Sequence, residues 1–337
     1  MQRALPVVTL CLILFLLGCG PTGGHPPTQS ASTLSRVLQA TLTPTRTPTA
    51  TPTRTPTPKP TATRTPTPTP PPLLGTLEID PPELLPGRTL LVRLTSSLPA
   101  SASASLEQVP LMLFSDESGT RYTALVGLSV WTSSGPQILR ATLQDARGRV
   151  STVTATVEVL PTDYPVEYIE LLPGREELLD PEIIEEEWAR LRPILETVTP
   201  ERLWEGVFIS PTHGYITSYF GAMRSYDGGP PSSYHNGVDI SNITGTVVLA
   251  AARGRVVLAE PLKVRGGAVI LDHGWGVHSG YLHFSEILVQ EGDIVEQGQP
   301  IGKIGASGLV TGAHLHWEIR LGLTPVDPLE WLWRAFP

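Results

Sequence analysis

Five side chains toward the C-terminal end of the chain can carry metal or proton chemistry: His235, Asp239, His283, His314 and His316. Two stand in Tyr234-His235-Asn236-Gly237-Val238-Asp239-Ile240, and two in Gly312-Ala313-His314-Leu315-His316-Trp317-Glu318-Ile319. Both stretches are β-branched and apolar with glycine punctuation, which reads as short strands and turns. Residues an even number apart on a strand face the same way, so His235 is expected to look out with Asp239, and His314 with His316. His283, in Gly280-Tyr281-Leu282-His283-Phe284-Ser285, follows an apolar strand at 268–271 and the turn Asp272-His273-Gly274-Trp275-Gly276. Two imidazoles and one carboxylate on rigid strands suit Zn²⁺ with a fourth position left open, the stoichiometry of a catalytic site. Structural zinc usually closes its shell with cysteines, and the two cysteines, Cys11 and Cys19, lie far away near the N-terminus. Either His-x-x-x-Asp or His-x-His alone is a weak signal. Both in one domain, with a further His between them, make a considerably stronger one.

Residues 204–337 must position this set. They read as short strands, at 247–250, 255–258, 268–271 and 301–304, with no helical stretch between them, which argues an antiparallel β domain. A loop, Arg224-Ser225-Tyr226-Asp227-Gly228-Gly229-Pro230-Pro231, delivers His235. Residues 73–162 form a second all-β module, with apolar or alternating runs at 90–94, 109–114, 124–131, 138–143 and 150–159 separated by turn residues. That spacing suits a small immunoglobulin-like sandwich. It holds no His, no Cys and no partnered acidic pair, so a spacer role is expected of it. Between the two, residues 163–203 form a linker with one helix, from Pro181 to Leu195. Asp180 is a good N-cap, Pro181 suits the first helical position, and glutamates from Glu182 to Glu187 favour the positive end of the dipole. Ile184, Trp188, Leu191 and Leu195 make an apolar stripe, expected to pack between the two domains, and the glutamate run is read as a solvated face. Pro193 is expected to end or kink the helix early.

The front of the chain is of another kind. In residues 1–18, Arg3 precedes an almost wholly apolar run at 5–17, too short to span a bilayer comfortably, and this reads as a signal peptide. Its ending, Leu16-Leu17-Gly18-Cys19, resembles the lipobox of bacterial lipoproteins, which implies cleavage before Cys19 and a lipid on its thiol. Such cleavage removes Cys11 and occupies the one remaining cysteine, so no disulfide is expected. Residues 19–72 form a Thr/Pro-rich tether that buries nothing and cannot offset the entropy of ordering. Its nearly pure Thr/Pro part, 41–72, would reach roughly 100 Å as polyproline II. Residues 1–72 hold six basic residues and no acid, so the formal −8 of the whole chain leaves −14 on the rest. A folded part this acidic is a poor nucleic-acid binder, and no nucleic acid is expected as a partner.

Across about 206–332 the residues resemble the lysostaphin-like or LytM-like zinc metallopeptidases, the M23 class of cell-wall endopeptidases. The resemblance rests on several motifs: Thr217-Ser218-Tyr219-Phe220-Gly221 with Arg224, His235 to Asp239, and Gly298-Gln299-Pro300-Ile301-Gly302. Gly305-Ala306-Ser307-Gly308, leading to Thr311-Gly312-Ala313-His314-Leu315-His316, completes it. It implies the duplicated-hybrid-motif-like β fold of that class. By position it makes His235, Asp239 and His316 the zinc ligands, and His283 and His314 the two non-ligand histidines of the active site. It further implies hydrolysis of peptide bonds in peptidoglycan stems or crossbridges; with the lipobox and the tether, a monomer lipid-anchored to the cell membrane outside the cytoplasm and reaching into the cell wall is expected. The sequence departs from the usual pattern at Phe284, at Ser307 and in Gly276-Val277-His278-Ser279-Gly280, none of which removes a ligand or either active-site His. His273 and His278 are expected to cap or line a turn, and His213 to face solvent.

Other readings carry weight beside this one. The same fold can serve as a non-catalytic module that binds the wall or activates other hydrolases, and the substrate can be a surface protein instead of peptidoglycan. The rhythm of Gly292-Asp293-Ile294-Val295 and Gly298-Gln299-Pro300-Ile301-Gly302 also suits a lipoyl or biotinyl carrier, with Lys303 as its only candidate lysine, but that leaves every histidine without a role.

Overall fold

Strand alternation in the first module builds two facing layers. The structure, a computed structural model, describes residues 70–337 except 172 and 227, so the leader, Cys19 and most of the tether lie outside it. One sheet runs in the order Gly75–Asp80, Thr89–Ser96, Arg121–Gly127, Phe114–Ser115. The other runs Glu83–Leu84, Val150–Val159, Gly135–Asp145, Ala100–Leu106, Val109–Leu111. Leu90, Val92 and Leu94 point from the first sheet, and Leu139, Ala141, Leu143, Val157 and Val159 from the second, into an interior where all are fully buried. This is the sandwich expected of an immunoglobulin-like module.

The first sheet is not solvated on its outer face, however. Leu91, one residue out of phase with the sandwich core, packs with Leu125 into the core of the C-terminal domain. Polar contacts seal the same interface: the Thr89 N–H donates to Glu330 Oε2 at 2.9 Å, Arg334 donates to the Thr89 carbonyl at 2.8 Å, and Arg88 pairs with Asp327 at 3.1 Å. The two β modules therefore lie within one compact unit, 68–337. A spacer reading underestimates the first of them.

The C-terminal domain is built on a ten-stranded sheet among the described residues. Its continuous path is Tyr215–Ser218, Val238–Ser241, His314–Leu321, Val277–Ile287, Gly266–Gly274, Gly254–Leu262, Ile294–Val295. Gly266–Gly274 is buried at every position, because both faces are covered. Val269 and Leu271 enter the main core with Tyr281 and Trp317, while Ala268 and Ile270 face the helix together with Leu258 and Leu282.

The Pro181–Leu195 helix starts as expected, with the Glu182 N–H donating to Asp180 Oδ1 at 2.8 Å and Pro181 at its first position. Its packing differs from expectation. Leu191 and Leu195 lie on Leu258, Ala268, Ile270 and Leu282 of the C-terminal sheet, not between the two domains. Its glutamates are not uniformly solvated either, since Glu187 is buried and ion-paired to Arg265. Pro193 sits inside the last turn without ending the helix, which runs on to Leu195.

Candidate metal centre

Register brings the first two functional side chains together. Asp239 and His316 are direct cross-strand partners on neighbouring antiparallel strands, so their side chains share one face within contact distance. His314 lies two residues from His316 on the same face, opposite Ser241, and its Nε2 stands 3.7 Å from Asp239 Oδ1. His235 arrives differently from the sequence expectation. It does not share a strand with Asp239: strand Ser233–Tyr234 ends before it, Val238–Ser241 begins after it, and the chain turns through Asn236-Gly237 between them. Gly237 makes that turn possible, since a Cβ there would lie 2.2 Å from the Trp317 carbonyl oxygen.

His283 needs a further device. Leu282 is the partner of His316 and so shares its face, and simple alternation would send His283 to the opposite side. His283 instead adopts a left-handed backbone, with φ of 67°, where a non-glycine residue is rare. That turn sets its ring 4.9 Å from His314 and 6.1 Å from His316, centroid to centroid. Two bonds hold it there: its N–H donates to the Arg265 carbonyl at 3.0 Å, and its Nδ1 lies 2.9 Å from the Ser307 carbonyl. Ser307 is itself fixed, donating to the Phe284 carbonyl at 2.8 Å and accepting from the Gly267 N–H at 2.9 Å. Gly266 beside it allows this close packing, because a Cβ there would meet Ser307 Oγ at 2.3 Å.

Tautomers follow from the partners. His235 Nδ1 lies 3.0 Å from the Tyr219 carbonyl, which can only accept, so Nδ1 carries the proton and Nε2 is bare. His316 Nε2 faces the Glu318 carboxylate at 3.8 Å, and that negative charge favours the tautomer with its proton on Nε2 and a bare Nδ1. Those two bare nitrogens and Asp239 Oδ1 stand 2.9 Å from one another in all three pairings. Three atoms able to ligate a metal thus converge on one point. A cation resolves that arrangement, and the donor set of two imidazoles and a carboxylate fits zinc. The carbonyls of Ser307 and Gly312 likewise claim the Nδ1 protons of His283 and His314, at 2.9 and 3.0 Å, leaving their Nε2 atoms bare as well.

Burial and neighbouring charges shift these groups in different directions. Burial lowers His235 to about 4, against the pull of Asp239, so the ring is neutral and able to ligate. His283 is pushed well down by burial and then by the nearby His314 and His316, and His314 is lowered chiefly by burial. Burial tends to raise Asp239, but His235 and His316 overcome it and hold the carboxyl well below its usual range. His316 moves the other way: burial opposes its charge, yet Asp239 and Glu318 together raise it. The site is therefore one that favours positive charge at the position of His316 Nδ1. Glu318 is held down, despite burial, by Arg320, which it meets with two bonds of 3.0 Å.

Several supporting residues were not assigned from sequence. Glu318 and Arg320 lie two and four residues beyond His316 on one strand face, so alternation could have found them. Arg224, which donates to Asp239 Oδ2 at 3.2 Å, belonged to the motif but carried no role. Glu167, in the linker, had no signal at all. His273 and His278 do not line a turn: both are buried in the sheet, His273 between the Arg253 carbonyl at 2.8 Å and Ser279 Oγ at 2.7 Å. His213 is exposed. Lys303 lies within the strand Pro300–Ile304 and pairs with Glu286 at 2.7 Å, which is not the exposed turn a carrier lysine needs.

Residues 233–328 match the family model described as Peptidase family M23. Among curated relatives, the peptidoglycan DD-endopeptidase ShyB of Vibrio cholerae is 31% identical over 130 residues, 39% of this chain and 30% of that protein. The murein hydrolase activator NlpD of Escherichia coli is 35% identical over 137 residues, 40% of this chain and 33% of that protein. The chain thus spans about a third of the length of these relatives. A crystal structure from Pseudomonas aeruginosa, described as a peptidase M23, is 27% identical with a TM-score of 0.54, covering 77% of this chain and 97% of that one.

Proposed function

The chain carries a peptidase family M23 domain, and from that premise we propose that it is a zinc-dependent metalloendopeptidase hydrolysing peptide bonds in peptidoglycan stems or crossbridges. The observation that carries this reading is the meeting of three potential ligand atoms, His235 Nε2, Asp239 Oδ1 and His316 Nδ1, each 2.9 Å from the others, beside two further imidazoles. Zinc bound by such a set supplies Lewis acidity and brings the pKa of a water down to about 7. His235, Asp239 and His316 would hold the ion. Glu318 and Arg320 orient the His316 ring, and Arg224 neutralises the outer oxygen of Asp239. His283 and His314, with bare Nε2 atoms and rings 4.9 Å apart, form a pair in which one accepts a proton from water. The other, once protonated, donates to the developing oxyanion or the leaving amine.

Two of the relatives are named for work on peptidoglycan, one as a DD-endopeptidase and one as an activator of murein hydrolases. Others are named as lipoproteins, which supports an acyl anchor on Cys19 and an extracytoplasmic position at the end of the Thr/Pro tether. We read the chain as monomeric, with the signal peptide over 1–18, the tether over 19–72, the sandwich over 73–162, the linker over 163–203 and the peptidase over 204–337.

The activator name motivates a second reading, a non-catalytic module that stimulates another wall hydrolase. Purified peptidoglycan incubated with the leaderless chain alone separates the two. The peptidase reading expects new amino termini that disappear on chelation and return with zinc. Release that occurs only when a separate wall hydrolase is added would replace it with the activator reading.

A further inference from the structure

The linker strand Val166–Ile169 lies outside the residues matched by the family model, yet it is built into the support of the metal centre. It pairs in parallel with Met223–Tyr226, which pairs in turn with Ser233–Tyr234. His235 follows at once, its N–H donating to the Ala222 carbonyl and its own carbonyl accepting from the Gly221 N–H, both at 2.8 Å. The linker thus forms the outer strand of the hairpin that delivers His235. One of its side chains goes further. Glu167 Oε2 accepts the Ser218 hydroxyl proton at 2.8 Å and lies 3.6 Å from Arg224 Nε. Ser218 Oγ, buried, stands 2.8 Å from His235 Nδ1, and Arg224 donates both to Ser218 Oγ at 2.9 Å and to Asp239 Oδ2 at 3.2 Å.

Given the zinc reading above, on which this rests, we propose that Glu167 is a positioning residue for the metal ligands, supplied by the linker. A hydroxyl has one proton. With that proton committed to Glu167, Ser218 Oγ can only accept from His235 Nδ1–H, and the tautomer that leaves Nε2 bare is enforced. Arg224 cannot lose its charge, and sharing that charge between Glu167 and Asp239 keeps the guanidinium on the outer oxygen of Asp239, turned away from the metal position. Without Glu167 the Ser218 proton is free to donate to Nδ1, which shifts the ring proton to Nε2 and blocks it. The undivided charge of Arg224 then also opposes a cation. The Tyr219 carbonyl still claims the Nδ1 proton, so the site is weakened, not abolished.

The test uses the leaderless full chain as wild type and as Glu167→Ala, Glu167→Gln and, as a neighbouring exposed control, Glu170→Ala. Zinc affinity is measured by competition with a chelator, and cobalt is substituted to read ligand geometry from its visible spectrum. Loss of a partner that orients metal ligands costs about 10- to 100-fold in affinity, and the lower end, about tenfold, is expected for Glu167→Ala with an altered cobalt spectrum. Glu167→Gln, which still accepts from Ser218 but lacks the charge, should fall between wild type and alanine, and Glu170→Ala should match wild type. Glutamine keeps the shape of the side chain, so it decides the matter should the alanine variant fold poorly. Wild-type-like affinity and cobalt spectrum in both Glu167 variants, even with a lowered melting temperature, would reduce Glu167 to a purely structural role and overturn the proposal while leaving the zinc reading intact. If the wild type itself takes up no zinc, both readings fall together.

Discussion

Removing the carboxylate of Glu187 should cost more stability than removing any other glutamate of its helix. Its Oε2 accepts the Val264 N–H at 2.8 Å, its other oxygen pairs with the Arg265 guanidinium, and the residue is only 5% exposed. Arg265 also lies over the Trp188 ring, 4.9 Å from its centroid, and its carbonyl holds the His283 N–H at 3.0 Å. Taking one partner from a buried ion pair costs about 3–5 kcal/mol, because the other charge is left unpaired. The Arg265 side chain retains 13% exposure and keeps Trp188, which places Glu187→Ala near the lower end, about 3 kcal/mol. Against a total of about 5–15 kcal/mol that is a large fraction. Glu187→Gln keeps an acceptor for Val264 and should cost about half as much. Urea unfolding of the metal-free chain reads both, through a lower midpoint at unchanged slope. Activity should fall as well, because the loop that anchors His283 is loosened. A midpoint for Glu187→Ala that corresponds to less than about 1 kcal/mol would refute the reasoning, and with it the claim that the linker helix is integral to the domain.

Other outcomes follow from the same structure. His273, lowered to about 4 by burial, is neutral in the folded chain while an unfolded chain takes up its proton near 6.5. Its contribution is therefore complete above pH 6.5 and is lost as pH falls toward 4, about 3 kcal/mol over that window, and unfolding curves of metal-free protein across it should show the decline. Gly237→Ala forces a Cβ to within 2.2 Å of the Trp317 carbonyl, next to His316, so a loss of about 1–3 kcal/mol together with weaker zinc binding is expected from calorimetry. Zinc at a hundredfold excess over its dissociation constant should stabilise the chain by about 2.7 kcal/mol, and the shift in melting temperature should vanish in Asp239→Ala.

Much of the site was legible because its signals are local. The pairs His235 with Asp239 and His314 with His316 fall within short glycine-punctuated motifs, and the helix announced itself through Asp180 and Pro181. What stayed hidden depends on how the backbone departs from regular strands. Alternation predicted that His235 and Asp239 share a strand, yet the turn at Gly237 carries His235 in from a separate hairpin. Alternation would likewise have turned His283 away, and only its left-handed φ brings it to His314. Period also fails where both faces of a strand are covered, as in Gly266–Gly274, whose unbroken burial gives no hint that a helix lies on one side. For the same reason Leu91 read as one member of an apolar run, although it belongs to a different core from Leu90 and Val92. Glu167 was invisible because its partners Ser218 and Arg224 are more than fifty residues away and nothing in its own surroundings marks it.

The central claim is that His235, Asp239 and His316 together hold one catalytic zinc. The most direct measurement is zinc content by mass spectrometry of the leaderless chain and of His235→Ala, Asp239→Ala and His316→Ala, each paired with peptide release from purified peptidoglycan. The account predicts one equivalent of zinc and new amino termini in the wild type, with both lost in every variant while the far-ultraviolet circular dichroism is retained. Zinc-free wild-type protein that still releases peptides, or variants that lose zinc yet cleave at the wild-type rate, would contradict it.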